Sequence, residues 1–391
     1  MELASRKLFT KPECTRCDPV HRHLQNLGIA HEVESCRGMH AIPNPEEKDL
    51  KSFPVLREKD GSLLDYYEIM ERYDEPILRE NPNRFVLFPI QYPDLYDRYK
   101  QAEASFWVAE EVDLSKDMAD WNALTENERY YLSNILAFFA GSDGIVNENL
   151  CMNFCNEVQI PEARAFYTYQ QFNETVHSET YSILLDTYIT DPDTKQNLFR
   201  GIQTIPSVQK KAEWAQRWIR NGAPFAQRLV AFACVEGILF SSSFCAIYWM
   251  KKRGKLPGLC FSNSLISRDE GTHQDFATLL YRHLRFPLDE EIIHRIVKEA
   301  VDTEVEFVTE SIPCRLIGMN SDLMVQYVQF VADSLLQDLG CEPLYRVQNP
   351  FDFMQQLDLN LKSNFFEARV SEYAKHGVMN SSVEFVTDAE F

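Results

Sequence analysis

Two stretches of the chain carry the same pair of metal-binding side chains at the same spacing. In Asn173-Glu174-Thr175-Val176-His177 a Glu precedes a His by three positions, and Arg268-Asp269-Glu270-Gly271-Thr272-His273 repeats the pair far downstream. On a helix, residues three and four apart share a face, so each pair projects together. Tyr181, four beyond His177, projects with the first. Glu-x-x-His on two helices, plus one carboxylate from each of two others, is the donor set of a dimetal centre inside a four-helix bundle. With 9 His in the chain, a lone Glu-x-x-His is weak evidence, and a third copy shows how to sort them. Glu291 and His294 lie off the apolar stripe of Ile292, Ile293, Ile296, Val297 and Ala300, beside Arg295 and Lys298, which makes them a solvated face. Glu270 and His273 instead continue into Ala277, Leu280, Tyr281 and Leu284, and Glu174 and His177 into Leu184 and Leu185, as inward stripes do.

Two further carboxylates are wanted. Glu236 stands alone in the apolar run 229–250, which is long enough to span a bilayer and is flanked by Arg228 and by Lys251-Lys252-Arg253. A carboxylate at mid-membrane costs roughly 2.5–3.5 kcal/mol, and a helix apolar on all sides is equally expected at the centre of a bundle. The expectation is therefore a central buried helix, no membrane, and Glu236 neutralised by a cation. Residues 110–114 (Glu-Glu-Val-Asp-Leu) offer the second carboxylate, where periodicity favours Glu110 nearly as well as Asp113.

These helices must be positioned by a chain of 391 residues with 45% hydrophobic and 25% charged residues, the mix of a globular protein with ample core. A net charge of −20 argues against nucleic acid, which demands clustered Lys and Arg. Residues 1–7 lack the apolar segment of a secretion signal, so a cytoplasmic protein with reduced thiols is expected. Residues 1–75 form their own unit: a strand at 7–10, a helix carrying Val20, Leu24 and Leu27 and stopped at Gly28, a second strand over 29–33, and a hairpin turning at Lys59-Asp60-Gly61. Cys14-Thr15-Arg16-Cys17 between strand and helix is a thioredoxin-like redox motif. Its first thiol is expected to be activated by the helix start, Arg16 and Lys11; the alternatives are two unrelated surface thiols or, with His21 and His23 nearby, half a zinc site. A linker and arm with Pro76, Pro82, Pro89 and Pro93 follow, then helical patterns to about residue 376. Residues 380–391 are polar and acidic, with isolated Phe385 and Phe391, and lack a packing stripe.

The first unit resembles a glutaredoxin, in Lys11-Pro12-x-Cys14-x-x-Cys17 and in Phe53-Pro54, which is similar to that family's cis-proline. Thr15-Arg16 replaces the usual Pro-Tyr and Asp65-Tyr66 the usual Gly-Gly, so the resemblance implies dithiol chemistry and leaves glutathione recognition open. From about residue 80 onward, five ordered motifs resemble the small subunit of class I ribonucleotide reductase. They are Ala104-Ser105-Phe106-Trp107, Glu110-Glu111-Val112-Asp113-Leu114, Glu174-x-x-His177-x-x-x-Tyr181, Val235-Glu236-Gly237 and Ser267-Arg268-Asp269-Glu270-Gly271-x-His273.

That resemblance implies a mainly α, ferritin-like bundle over 76–379, behind the small α/β thioredoxin-like unit and ahead of a docking tail over 380–391. It implies two iron ions per chain in an oxygen-bridged pair, with Asp113, Glu174 and His177 on one and Glu236, Glu270 and His273 on the other, Mn/Fe remaining open. It makes Tyr181 the site of a stable radical, with Phe240, Phe244 and Ile266 as its dry pocket. Trp107, Asp269 and His177 become an inner electron relay and Tyr373 the outer one. The implied enzyme is a homodimer that passes the radical to a large subunit, docked through Phe385 and Phe391, which reduces ribonucleotides to deoxyribonucleotides. Cys14 and Cys17 would return electrons to it. Two rivals use the same donors: an iron store or ferroxidase, with no stable radical, and a di-iron oxygenase, with a substrate channel where Phe240 and Phe244 close the pocket.

Overall fold

A computed structural model describes residues 5–39, 42, 50, 52–220, 222–311 and 314–354. Tyr373, Phe385, Phe391 and the tail over 380–391 lie outside the described residues. The N-terminal unit is a four-stranded sheet in the order β2-β1-β3-β4, made of β1 (Lys7–Thr10), β2 (Glu32–Ser35), β3 (Val55–Arg57) and β4 (Leu63–Leu64). β1 runs parallel to β2 and antiparallel to β3, and β3 is antiparallel to β4. The second strand begins later than its apolar residues suggest. At the sheet edge Glu32, Val33, Glu34 and Ser35 are all exposed, and backbone pairing rather than burial defines them. The hairpin turns where Gly61 takes a φ of +90°, a conformation that glycine adopts without steric cost. Helix α1 (Cys17–Asn26) covers one face of the sheet through Val20 and Leu24. Helix α2 (Tyr66–Arg72) opens on an Asp65/Glu68 capping box and packs Ile69 into the same core.

The unit is seated on the rest of the chain. Phe286 packs into its core beside Tyr73, and the buried Glu75 carboxylate accepts from the Arg285 and Phe286 amides at 2.8 and 3.3 Å. Arg228, only 6% exposed, bridges Asn26 at 3.1 Å and Glu157 at 2.6 Å.

Helices dominate from residue 93. After α3 (Pro93–Ala104) and α4 (Asp117–Ala123), four long helices form the centre: α5 (Glu126–Asn149), α6 (Pro161–Tyr188), then Phe225–Lys252 beyond the outer helix α7 (Pro206–Arg220), and Pro257–Arg282. We label the last two α8 and α9. The α10 (Glu290–Glu306) and α11 (Ser321–Asp338) helices close the outside. Proline supplies the first residue of α6, α7 and α9, where its missing N–H costs nothing. The expected Thr125/Glu128 capping box opens α5. Helix α8 is the one described helix long and apolar enough to cross a membrane, and nearly all of it is buried among the others. Its register breaks at a π-helical turn over Val235–Leu239, and such turns frequently occur at functional sites. The buried Asp117 carboxylate caps α9, accepting from the Gly258 and Leu259 amides at 2.8 Å each and from the Tyr188 hydroxyl at 2.6 Å. A Cβ on Gly258 would stand 2.6 Å from the Asp113 carbonyl oxygen, so only glycine allows this approach.

Candidate metal centre

Helices α6, α8 and α9 bring Glu174, Glu236, Glu270 and His273 together, with one donor atom from each within 4.8 Å of all the others. His177 joins them: its Nδ1 lies 3.0 Å from Glu270 Oε1 and 3.6 Å from Glu174 Oε2. The His273 Nδ1 lies 2.9 Å from Glu174 Oε1 and 3.2 Å from Glu270 Oε2. All five residues are at most 3% exposed. Both imidazoles are oriented from behind. Nε2 of His177 donates to Asp269 Oδ2 at 3.2 Å and Nε2 of His273 to Asn173 Oδ1 at 3.1 Å, so both Nδ1 atoms face the carboxylates. Outer partners of this kind fix the tautomer of metal-binding histidines.

The fourth helix does not contribute through Asp113. That side chain is exposed, with Oδ1 capping the Ser115 amide at 2.9 Å, because residues 112–116 run over the surface between short helical segments. Glu110 is exposed as well. A buried carboxylate on α5, Asp143, lies near enough to feel the charges of Glu174, His177 and Glu270. It is 1% exposed, and neither of its oxygens accepts a hydrogen bond from the described residues. Burial pushes its carboxyl well above the usual range, and the charges of Glu174 and Glu270 push the same way, against His177. Burial and the charge of Glu270 likewise raise Glu236, whose Oε2 also finds no donor. For the imidazoles, burial favours the neutral form but is outweighed: carboxylate contacts hold His177 well above its ordinary value and His273 at about 9. Four buried carboxylates facing two imidazoles are costly alone, and hard oxygen and imidazole donors in this proportion fit a pair of divalent first-row ions.

Tyr181 is fully buried one turn beyond His177 and donates to Asn263 Oδ1 at 3.1 Å. Its ring stacks on Phe139 at 4.6 Å. Phe139 in turn contacts Phe244 at 4.9 Å and Phe240 at 5.6 Å, so the expected aromatics group around Tyr181 through a residue the motif reading missed. Ile266 is buried in the same core. Trp107 is 1% exposed and donates from Nε1 to Asp269 Oδ2 at 2.6 Å, the oxygen that also accepts from His177. Arg268 holds the other oxygen at 2.7 Å. Burial would raise the Asp269 carboxyl, but Arg268 and His177 bring it down to about 2. A cavity of about 220 Å³ reaches Glu236 and Glu270 from the side of Tyr327 and Asn349.

The remaining sequence candidates lie apart from this cluster. His294 bonds the Glu342 carbonyl at 2.9 Å on the surface. In the N-terminal unit Cys14 is half-buried, 3.7 Å from the Phe53 carbonyl, and the Phe53-Pro54 peptide is cis. Cys17 is buried, and burial together with its contact to Cys14 pushes its thiol up to about 12. Arg16 turns away to lie over the Tyr66 and Tyr67 rings. His21 pairs with His31 at 2.9 Å and His23 with the Tyr73 carbonyl at 2.7 Å.

Residues 84–350 match the family described as "Ribonucleotide reductase, small chain". The chain is 57% identical over 318 residues to the ribonucleoside-diphosphate reductase small chain of vaccinia virus (strain Copenhagen), spanning 81% of this chain and all of that one. The small chain of Neurospora crassa is 59% identical over 322 residues, 82% of this chain and 78% of the relative. Among solved structures, a ribonucleotide reductase homodimer from Saccharomyces cerevisiae is 39% identical, with a TM-score of 0.68 over 78% of this chain and 93% of that chain. The dimanganese(II)-NrdF of Streptococcus sanguinis, 23% identical with a TM-score of 0.62 over 70% of this chain and 97% of its own, shares the fold.

Proposed function

The chain belongs to the ribonucleotide reductase small-chain family, and from that premise we propose the following division of labour among its residues. It is the small chain of a ribonucleoside-diphosphate reductase, built on a ferritin-like helical bundle. An iron store or ferroxidase is not favoured at this identity to reductase chains. Asp143, Glu174 and His177 hold one metal ion and Glu236, Glu270 and His273 the other, Asp143 taking the place that the sequence reading gave to Asp113. The carrying observation is that both imidazole Nδ1 atoms are turned onto the buried carboxylates by partners behind them. Iron is our assignment, since the donor set suits manganese as well.

When bound, the metal pair would supply the oxidising power, drawn from dioxygen, that removes an electron from Tyr181. The chain does the rest. Asn263 fixes the Tyr181 hydroxyl, and Phe139, Phe240, Phe244 and Ile266 keep water from the ring. The hydrogen-bonded line Trp107–Asp269–His177 supports an electron route out of the core. We extend that route to Tyr373 and to a large subunit gripped by Phe385 and Phe391, and we read the working particle as a cytoplasmic homodimer. The N-terminal unit, in this reading glutaredoxin-like, returns electrons through Cys14, the more accessible thiol. Loading metal-free protein with Fe(II) and admitting dioxygen should give a tyrosyl doublet by electron paramagnetic resonance, absent in Tyr181→Phe. Many irons per chain and no radical would overturn this reading.

A further inference from the structure

One buried ion pair stands outside the metal centre. Lys211 of α7 is 1% exposed and Glu304 of α10 is fully buried, with Nζ and Oε2 2.7 Å apart. Both also reach past each other to α8. Lys211 Nζ donates to the Leu239 carbonyl at 2.5 Å, and Glu304 Oε1 accepts from the Ser242 amide at 3.3 Å and from the Ser242 hydroxyl. Leu239 ends the π-helical turn that carries Glu236. Within the turn the Ile238 carbonyl also accepts from the Ser241 hydroxyl at 2.7 Å. Side chains of two other helices therefore bond the backbone of α8 at the end of the turn.

The surroundings restrict the ammonium further. It sits 3.7 Å from the centre of the Phe138 ring and 3.9 Å from that of Phe307, a cation between two aromatic faces. The turn also packs closely on α9, where a Cβ on Gly237 would fall 1.7 Å from Gln274 Oε1. A buried ion pair is a poor source of net stability, since apolar residues of similar volume serve as well or better. What apolar residues cannot do is occupy one particular carbonyl and one particular amide.

We propose that Lys211 and Glu304 are positioning residues for Glu236: together they fix the π-helical turn of α8 and so aim the Glu236 carboxylate at Glu174, Glu270 and His273. The inference rests on the metal reading above. Its test uses the full metal-free chain titrated with Co(II), whose visible spectrum reports ligand geometry without catalytic turnover. Lys211→Met should keep native helicity by circular dichroism, retain the first cobalt, bind the second at least tenfold more weakly, and shift its visible bands. Glu304→Gln should do the same, and the double variant Lys211→Met/Glu304→Leu, which buries no lone charge, is read identically should either single variant fail to fold. Val301→Ala, a buried truncation elsewhere on α10, should lower the melting temperature and leave the cobalt spectrum alone. Wild-type affinity and spectrum in a folded variant would overturn this inference alone, as would an equal shift in Val301→Ala. A wild-type chain that took up no cobalt would overturn it together with the metal reading.

Discussion

At the centre of the bundle every proposed metal ligand is at most 3% exposed and is oriented by a helix or by a partner behind it, whereas the N-terminal unit leaves Cys14 half-buried on the turn ahead of α1. The two sites obey opposite demands. Ions bound by carboxylates must be kept dry and their ligands preset, because each unpaired buried charge costs several kcal/mol. A thiol that attacks another protein's disulfide, the role proposed for Cys14, must be reached from outside, and Cys17, its proposed partner, is the buried one of the two. Concealment marks the chemistry in one region, and access marks it in the other.

The sharpest way to break the contrast is to exchange a buried carboxylate for an exposed one. Asp143→Ala should lose one of two metal ions per chain and the radical with it, a larger effect than the roughly 10–100-fold fall in affinity that follows changes behind a ligand. Asp113→Ala should leave metal content at the wild-type level. Iron or cobalt stoichiometry on the two purified variants decides, and the reverse result would return the ligand to the surface segment.

Acidity separates the regions next. Burial favours neutral His273, but Glu174 and Glu270 hold it at about 9 in the metal-free chain, so below that pH an entering ion must displace its proton. Apparent affinity should rise as pH climbs from about 6 to about 9, by up to tenfold, or ~1.4 kcal/mol, per unit for each proton released. Manganese(II) titrations across that range should show the slope, and a flat profile would mean that His273 does not bind the ion.

A smaller effect is expected from Cys14→Ser. It should leave metal and radical unchanged while slowing repeated turnover when the N-terminal unit is the sole source of electrons. Wild-type rates under that condition, followed by deoxynucleotide formation, would remove the donor role. The smallest concerns His294→Ala, whose side chain meets the Glu342 carbonyl at 2.9 Å and the Glu290 carboxylate at 3.4 Å on the surface. Metal content should not change, and stability should move by no more than about 0.5 kcal/mol.

Much of this was legible from residue spacing. Inward stripes separated Glu174/His177 and Glu270/His273 from the decoy at Glu291, and an isolated charge in an apolar helix marked Glu236. Asp143 escaped because Gly141 and Gly144 interrupt the apolar pattern beside it, while the acidic run 110–114 drew attention to the surface. The signal was present nonetheless: Leu132, Leu136, Phe139, Asp143 and Val146 recur three or four apart along α5, and all are buried. Asn263, Asn173 and Phe139 could not have been picked out, since their roles depend on which helices meet. The Lys211–Glu304 pair joins residues 93 positions apart, a proximity set by the packing of α7 against α10.

The Asp117 cap on α9 has a mechanical side. Gly258 and Leu259 fix where that helix starts along its axis, and Glu270 lies twelve residues, or about 18 Å, further on. A helix is stiff along its length, so sliding its first turn carries its far end by nearly the same amount. A methyl group at Gly258, which must clear the Asp113 carbonyl, would act as a shim under the end of a rod, and its thickness would reappear as misalignment between Glu270 and the facing His177. The joint at the start of α9 thus sets the tolerance to which the two halves of the metal site are machined, although no atom of that joint touches an ion.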